Sequence, residues 1–410
     1  MPEHDLSANA PYTPATAPMS PMASGEGETV LVEAAFDADA EQSLARTVAR
    51  ALAGDFSTQR DIGELLDWLE AHTEELVVSG MAFAAARDGR ANRRALVAEE
   101  MPPGDTWFIG DLHGDLLALE ASLLHVERTS SERTPTIVFL GDMFDRGPFG
   151  AEVLLRIAGL AKQRPGQVLV LAGNHDDALQ HDAAGQIFSS RCAPAEFADW
   201  INARVQSGDP HAARLGRWAV RFVALLPRFL ALPDGLLVAH AGIPQRDLWP
   251  GALAAREDLE RPDAMRDFIW CRPTTAKRKD PYRGGSDGEF GWGDFQDFCA
   301  FLTESPLGIR AERMLTGHEH PAERWQRWRR YTPKPLVTIC TMSWRAGEFF
   351  GPYHRQPCIA RWRQGALPEV HRLMLSESLV CHDAVRRAYD PAAFATDLVA
   401  PPAGEPAAGT

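Results

Sequence analysis

The chain has 410 residues, of which 45% are hydrophobic and 24% charged, and this composition is typical of a globular protein with a sizeable core. A formal net charge of −14 argues against nucleic-acid binding as its main role. The six scattered cysteines show no C-x-x-C spacing, which favours reduced thiols over a disulfide framework. Neither a signal peptide nor a membrane span is evident, so we expect a cytoplasmic protein with no membrane partner.

The N-terminal part is predicted to be a tail followed by helices. Residues 1–28 are rich in Pro, Ala, Ser and Met without periodicity, which predicts a disordered tail, and residues 400–410 predict another. Between residues 38 and 100 apolar side chains recur at helical spacing, which predicts a small helical region packed on the main domain. The apolar stripes of this region are Leu44, Val48 and Leu52, and Ile62, Leu65, Leu66 and Leu69.

A catalytic domain is predicted over residues 101–375, where short apolar runs begin. The runs are 107–109, 137–140, 168–171, 236–239, 314–315 and 336–339. Such runs indicate strands buried on both faces, and amphipathic helices between the first three predict βαβ units of a mostly parallel sheet. We interpret residues 177–233 as a helical insertion with no clear strand, and residues 272–289 as a long polar loop.

Each predicted strand runs directly into a cluster of polar residues. The clusters are GDLHGD at 110–115, GDMFDRG at 141–147, GNHD at 173–176, HAG at 240–242 and GHEH at 317–320. Ligands of open α/β sheets bind at the carboxyl ends of the strands, so we expect the five clusters to converge on one crevice. A single cluster of this kind is more often a helix cap or a solvated loop, and it is the ordered set of five that predicts a site.

The donors in these clusters predict a centre of two metal ions. Asp, Asn and His side chains suit Mn, Fe, Zn or Co better than calcium. Two adjacent ions need a shared carboxylate, for which Asp142 is the natural bridge. We assign Asp111, His113 and Asp142 to one ion, and Asp142, Asn174, His240 and His318 to the other. His320 would reach the first ion if its segment is extended.

The five clusters resemble the motifs of the calcineurin-like metallophosphoesterase superfamily, and most closely those of the serine/threonine phosphoprotein phosphatases. The resemblance covers about residues 104–362. It implies an α/β fold class, namely a metallophosphoesterase-type β-sandwich flanked by helices, with the dinuclear centre at its top. The small helical N-terminal region lies outside the resemblance.

The resemblance also implies roles for three further residues. Arg146 would clamp the phosphoryl oxygens, which suits the forked geometry of a guanidinium group. His175 would protonate the leaving oxygen, and Asp145 would orient its imidazole ring. These three residues are therefore the candidate catalytic residues.

The second phosphate-binding arginine of the family has no clear match here. Arg261 is the first candidate and Arg272 the next. Arg345 stands where eukaryotic members carry a tyrosine, and it is either a further phosphate contact or a surface residue. The chain also departs from the family at Asp176, where a glutamate is usual, and at Ala241, where a glycine is usual.

The leading interpretation is a hydrolase of phosphate monoesters, with phosphoserine or phosphothreonine of proteins as substrate and a hydroxide bridging the two metal ions as nucleophile. The alternative is a dinucleoside polyphosphate hydrolase, because HAGIP at 240–244 also resembles symmetrical diadenosine tetraphosphatases. A third interpretation is a catalytically silent scaffold that binds metal. The predicted partner is thus a phosphorylated protein or a small phosphoester.

Overall fold

The computed structural model describes residues 29–54, 60–81, 94–102, 104–130, 135–249, 251–282, 288–343 and 355–389. The predicted tails at 1–28 and 400–410 lie outside the described residues, and so does Arg345. Among the described residues, no helix combines the length and the apolar character that a membrane crossing requires.

The described residues form sixteen strands and eleven α-helices. The strands are β1 (Leu31–Ala35), β2 (Ala95–Val97), β3 (Thr106–Ile109), β4 (Thr136–Phe139), β5 (Val168–Val170), β6 (Leu179–Asp182), β7 (Ile187–Ser190), β8 (Phe229–Ala231), β9 (Leu236–Ala239), β10 (Arg272–Pro273), β11 (Glu289–Phe290), β12 (Arg313–Thr316), β13 (Trp325–Arg327), β14 (Leu336–Ile339), β15 (Cys358–Trp362) and β16 (Glu369–Met374). The α-helices are α1 (Ala38–Leu52), α2 (Arg60–Gly80), α3 (Leu116–Thr129), α4 (Gly150–Gln163), α5 (Asn174–Ala178), α6 (Glu196–Gln206), α7 (Ala212–Leu225), α8 (Pro262–Trp270), α9 (Trp292–Glu304), α10 (Glu377–Val380) and α11 (Asp383–Tyr389). Two 3-10 helices cover Arg246–Leu248 and Arg256–Glu260.

Two six-stranded sheets form the centre of the fold. The first sheet has the order β1-β16-β15-β3-β4-β5, and the second sheet has the order β13-β14-β12-β9-β8-β2. Strands β3, β4 and β5 are parallel and are joined by α3 and α4, which confirms the predicted βαβ units. Both sheets are mixed rather than mostly parallel, because β15 runs antiparallel to β3, and β8 antiparallel to β9.

The core lies between the two sheets and continues beneath the helices. Successive side chains of a strand point to opposite faces of its sheet. In β9, Leu236 and Val238 accordingly join the core shared with the first sheet, whereas Leu237 and Ala239 pack on the other side. That other side contains Phe268 of α8 and Phe295 and Phe298 of α9. Burial on both faces explains why these strands are continuous apolar runs.

The N-terminal residues pack on the rest of the fold. Strand β1 extends the first sheet by pairing in parallel with β16, and α1 and α2 add Leu44, Val48, Leu66 and Leu69 to the common core. Leu52, predicted on the same stripe, is 36% exposed at the end of α1. The region is not wholly helical as predicted, because Ala95–Val97 forms β2 at the edge of the second sheet.

Two further predictions need correction. Residues 177–233 contain α6 and α7, but also the β6–β7 hairpin and β8, so the prediction of no strand was wrong. Strand β6 escapes sequence reading because it has a single apolar residue, Leu179. The polar segment 272–289 is not all loop, since β10 at its start pairs with β11 at its end.

Candidate metal centre and cleft

The candidate site lies where strands of both sheets end. Seven side chains meet there, which we call the ligand cluster: Asp111 and His113 after β3, Asp142 after β4, Asn174 after β5, His240 after β9, and His318 and His320 after β12. The two sheets are joined at this edge by a parallel bridge between Asp111 and Cys340. The strand-end clusters therefore converge on one site in the structure, as predicted.

The backbone of the ligand cluster adopts unusual conformations. His113, Asp142 and His318 have φ angles of 46°, 52° and 66°, in the left-handed region that costs non-glycine residues about 1–3 kcal/mol each. A Cβ at Gly173 would overlap the carboxylate of Asp142, and a Cβ at Gly141 (φ 103°) would overlap the backbone of Gly173. The loops after β4 and β5 can approach this closely only with glycine at both positions.

Two histidines of the cluster direct one particular ring nitrogen inward. Nδ1 of His113 lies 3.0 Å from the carbonyl oxygen of Phe144, and Nδ1 of His240 lies 3.0 Å from that of Leu140. A carbonyl oxygen only accepts, so Nδ1 carries a proton in both rings and donates it. Nε2 of each ring then faces inward, 3.4 Å from Oδ2 of Asp142. Histidine ligands of metals are typically oriented by such backbone contacts.

Acceptor atoms crowd together on one side of Asp142. Oδ1 of Asn174 lies 3.0 Å from Nε2 of His240 and 2.9 Å from Nδ1 of His318. The amide is held in this orientation because its Nδ2 donates to Sγ of Cys192 at 3.3 Å. Lone pairs at such distances repel unless a cation or a proton lies among them. Asp142, Asn174, His240 and His318 thus make a candidate ligand set for one cation.

The other side of Asp142 holds a second candidate set. Nε2 of His320 lies 3.1 Å from Oδ2 of Asp111, and the backbone N–H of His318 donates to both oxygens of that carboxylate at 3.0 Å. Burial lowers the pKa of His320, and it holds the pKa of His113 well below the usual value, so both rings are neutral and able to bind a metal. His320, which the sequence left open, lies beside Asp111 and His113.

The protonation states of the ligand cluster are also compatible with binding two metal ions. Burial opposes protonation of His240, but the carboxylates of Asp142 and Asp111 outweigh it and raise the pKa of His240 to about 9. A ring with this pKa holds a proton that a metal ion would displace on binding. Nε2 of His113 is buried and lacks a hydrogen-bond partner among the described residues. Such unpaired buried atoms cost about 1–3 kcal/mol each, which a metal ligand bond offsets.

The ligand atoms are also close enough together. Besides the group of His113, Asp142 and His175, two groups of three ligand atoms lie within 4.8 Å of one another: Asp111, His113 and His320, and Asp142, His240 and His318. Asp142 faces histidines of both groups, as expected of a shared carboxylate. The mixture of oxygen and imidazole donors without thiolates suits Mn, Fe, Zn or Co. The residues present therefore fit two ions.

His175 lies beside the cluster and is paired with Asp145. Its Nδ1 lies 2.8 Å from Oδ2 of Asp145, whose Oδ1 accepts the backbone N–H of Phe197 at 2.9 Å. Burial opposes protonation of His175, but the carboxylates of Asp142 and Asp145 outweigh it and raise the pKa of His175 to about 10. Nδ1 of His175 is thus held by Asp145, and Nε2 faces the cleft, where Nη2 of Arg146 lies at 3.4 Å.

Asp176 fastens the loops that carry these residues. Its Oδ2 accepts the backbone N–H of Asp142 at 2.7 Å and that of Gly173 at 2.8 Å, and its Oδ1 accepts that of Met143 at 3.0 Å. Burial and the nearby charge of Asp142 raise the pKa of Asp176 to about 7. The aspartate that departs from the family pattern is thus a structural acceptor, a role that the sequence did not indicate.

A cleft of about 260 Å³ opens above the ligand cluster. Its sides, which we call the cleft wall, include Arg146, Arg191, Cys192, Trp270 and Arg272. Nη1 of Arg272 is paired with Oε1 of Glu319 at 2.5 Å. Three guanidinium groups around one small cleft make it suitable for an anion.

Not all of the predicted phosphate-binding arginines line the cleft. Arg146 lines the cleft as expected, whereas Arg261 is exposed at the start of α8 and is not among the lining residues described. Arg272, the second candidate, lines the cleft instead. The reason is that Arg261 precedes α8, while Arg272 follows it and so stands at the site end of the helix. Arg345 lies outside the described residues.

Three cleft-wall residues were missed by sequence reasoning. Arg191 and Cys192 follow β7 inside the insertion, and Trp270 ends α8 with its ring 6.4 Å from that of His318. No motif surrounds Arg191 or Cys192, whereas Trp270 ends the run Phe268-Ile269-Trp270, which resembles the phosphoprotein phosphatases. The one available signal was position, because an insertion that begins directly after the GNHD cluster starts at the site and can fold back over it.

Comparison with known proteins agrees with this geometry. The calcineurin-like phosphoesterase family matches residues 105–322. A symmetrical bis(5'-nucleosyl)-tetraphosphatase of Pectobacterium carotovorum subsp. carotovorum (strain PC1) is 33% identical over 156 residues, which are 37% of this chain and 48% of that protein. Serine/threonine-protein phosphatase 5 of Rattus norvegicus is 25% identical over 222 residues, which are 53% of this chain and 39% of that protein. The chain thus spans less than half the length of these relatives.

A solved structure shares the fold. A protein serine/threonine phosphatase of Saccharomyces cerevisiae superposes with a TM-score of 0.53 at 15% sequence identity, over 77% of this chain and 90% of that one. At this identity the likeness concerns the fold alone, and it confirms the predicted α/β fold class. The family match spans more than half of the 410 residues. This chain belongs to the calcineurin-like phosphoesterase family.

Proposed function

We propose that this protein is a two-metal hydrolase of phosphate monoesters that acts on phosphoserine or phosphothreonine of proteins. One observation carries the proposal. A ligand cluster suited to two cations lies in the same cleft as the Arg146 guanidinium and the ring of His175, which is paired with Asp145. These three elements supply an activated water, a phosphate clamp and a proton for the leaving group, which are the contributions that hydrolysis of a phosphate ester uses.

In this proposal the ligand cluster holds the metal ions. Asp111, His113 and His320 bind one ion, Asn174, His240 and His318 bind the other, and Asp142 is shared. When bound, the pair of ions supplies an activated water at neutral pH and neutralises charge on the phosphoryl oxygens. The protein contributes fixed donors, because backbone carbonyls orient His113 and His240 before any ion arrives.

Arg146 binds and orients the phosphoryl group. A guanidinium offers two parallel N–H donors to two oxygens of a phosphate, and such charge-assisted hydrogen bonds are about twice as strong as neutral ones. The main chain of Arg146 is held by a hydrogen bond from its N–H to Oε2 of Glu196 at 3.1 Å. Its side chain lines the same cleft as Asp142 and His175, and its Nη2 lies 3.4 Å from Nε2 of His175.

His175 supplies the proton that the leaving oxygen needs. Hydrolysis breaks the bond between phosphorus and the ester oxygen, and an alkoxide such as that of serine is a poor leaving group unless it is protonated. Asp145 holds Nδ1 of His175, so the proton transferred is the one on Nε2. The pairing with Asp145 orients the ring and favours its protonated form.

The choice of substrate rests on sequence similarity. The Asp-Arg-Gly ending of the 141–147 cluster and the likeness to serine/threonine-protein phosphatase 5 over 53% of this chain favour phosphoproteins. The second candidate, a dinucleoside polyphosphate, is favoured by HAGIP at 240–244 and by the 33% identity to the symmetrical bis(5'-nucleosyl)-tetraphosphatase. Both candidates use the same residues for the chemistry.

A substrate panel tests the proposal. The protein reconstituted with Mn, Co, Zn or Fe is offered p-nitrophenyl phosphate, phosphoserine and phosphothreonine peptides, and diadenosine tetraphosphate. We expect hydrolysis of p-nitrophenyl phosphate and a higher kcat/KM for the peptides than for the dinucleotide. The reverse order would select the second candidate, and no hydrolysis with any metal would support a silent scaffold.

A further inference from the structure

The two flanking arginines of the cleft wall are neutralised to different extents. Arg272 has a carboxylate partner in Glu319. Arg191 donates from Nη2 to Oδ2 of Asp177 at 3.3 Å, but Oδ1 of the same carboxylate is bound to Nη2 of Arg228. One negative charge therefore faces two guanidinium groups on the Arg191 side.

Among the described residues around Arg191, the arginines outnumber the carboxylates. Arg228 is only 4% exposed, and its Nη1 lacks a hydrogen-bond partner among the described residues. Arg94 adds a third guanidinium, and Glu260 adds one carboxylate, whose Oε1 accepts the backbone N–H of Arg94 at 2.9 Å. Three cations and two carboxylates leave one net positive charge. Arg191, whose side chain is 61% exposed, is the member that can offer this charge to a ligand.

His175 identifies which end of a substrate would meet Arg191. Because Nδ1 of His175 is bound to Asp145, Nε2 is the nitrogen that serves the leaving oxygen. Sγ of Cys192 lies 3.3 Å from this Nε2. The segment that carries Arg191 and Cys192 thus borders the leaving-group side of the cleft. Arg191 directly precedes Cys192, the residue whose Sγ makes this contact with His175.

We propose that Arg191 recognises negative charge on the leaving group, so that the protein prefers phosphoesters whose alcohol part is itself anionic. The inference rests on the proposed hydrolysis of phosphate esters, and it adds a substrate class. The anion is an acidic side chain next to the phosphorylated residue of a protein, or a further phosphate in a dinucleoside polyphosphate. Both present an oxygen anion to a guanidinium, which binds either in forked geometry.

The test compares two small esters that differ in charge. These are 4-carboxyphenyl phosphate and 4-carbamoylphenyl phosphate, whose leaving phenols have similar shape. We expect the wild-type protein, loaded with manganese, to favour the carboxylate in kcat/KM, and Arg191→Gln to reduce that preference roughly fivefold, about what a half-exposed ion pair contributes. Arg191→Lys should restore part of it. The preference should also weaken as ionic strength rises.

Arg204→Ala is the matched control, because Arg204 lies on α6 of the same insertion and pairs with Asp209 away from the cleft. It should leave the charge preference as in the wild type. Hydrolysis of both esters with a ratio that Arg191→Gln does not change would overturn the inference and leave the proposed function standing. Hydrolysis of neither ester would overturn both.

The same variants separate the two sources of the anion. A phosphoserine peptide with a neighbouring aspartate is compared with its asparagine counterpart, and diadenosine tetraphosphate is assayed alongside. Loss of the aspartate preference in Arg191→Gln assigns the residue to phosphoproteins. A selective loss on the dinucleotide assigns it to a nucleotide phosphate, and no selective loss on either contradicts the inference.

Discussion

The ligand cluster is buried and is supplied by strand ends, whereas the cleft wall is partly exposed and is supplied by loops and helix ends. Asp111, His113 and His240 are fully buried, and backbone groups fix their orientation. Arg191 and Arg272, in contrast, have side chains that are 61% and 35% exposed. This division suggests that the chemistry is determined by the two sheets, and the substrate by the segments between them.

The difference is also one of energetics. Unpaired acceptors in the ligand cluster are costly when buried, so a single substitution there should remove the whole function. Half-exposed arginines interact through solvent, so each should contribute a modest part of substrate binding. Substitutions in the two regions should therefore differ in size and in kind.

The largest effect is expected at the shared carboxylate. Asp142→Asn removes the negative charge that faces both His113 and His240. We expect the activation free energy of hydrolysis to rise by several kcal/mol, which lowers kcat by at least about 10³-fold. The measurement is hydrolysis of p-nitrophenyl phosphate with excess manganese. Asp199→Asn, an exposed position on α6, is the control and should retain activity. Activity of Asp142→Asn within tenfold of wild type would contradict the shared role.

A large but selective effect is expected at the candidate acid. His175→Ala should keep the metal ions yet slow esters of poor leaving groups by about 10²-fold or more, since general acid catalysis is worth that much. The loss should shrink for p-nitrophenyl phosphate, whose leaving group needs no proton. Equal losses on both classes of ester would show that His175 is not the acid.

The arginines of the cleft wall should form a graded series. Arg146→Ala should lower kcat/KM by about 10²-fold, because it removes a forked pair of charge-assisted hydrogen bonds. Arg272→Ala should lower kcat/KM only a few-fold, roughly as a half-exposed pair does, and Arg261→Ala should leave it unchanged because that side chain is exposed and is not among those that line the cleft. A larger loss for Arg261 than for Arg272 would restore the family-based assignment.

The smallest effect is a shift in pH dependence. The carboxylate of Asp145 raises the pKa of His175, and the acid form is lost as pH rises through that pKa. Asp145→Asn should therefore move the alkaline limb of kcat/KM to lower pH, for substrates with poor leaving groups. The pH profiles of the two proteins check this, and an unmoved or upward-moved limb would argue against the pairing.

The same division explains what the sequence could predict. Asp111, Asp142 and Asn174 follow buried strands within a few residues, so the short motifs and the strand pattern together predicted where they would meet. Arg191 and Cys192 reach the cleft only because the β6–β7 hairpin folds back, and nothing local in their sequence encodes that path. Arg261 was assigned by family position, but it precedes α8 and is not among the residues that line the cleft, whereas Arg272, which follows α8, is.

The fold shows the same contrast between strands that the sequence predicted and strands that it did not. Strands β3, β4 and β5 are continuous apolar runs separated by amphipathic helices, and their parallel order followed from that pattern. The addition of β1 to the first sheet and of β2 to the second depends on partners more than a hundred residues away in sequence. Tertiary contacts of this kind override local propensity, which is why short edge strands were missed.

The most direct test of the central claim is a count of bound metal ions. The full chain, saturated with manganese at neutral pH and freed of excess, is analysed for metal content, with Asp142→Asn treated in parallel. If Asp142 is shared between two sites, the wild type should carry two ions per chain and the variant fewer. A wild-type protein that retains no ion, or a variant that still retains two, would contradict the account.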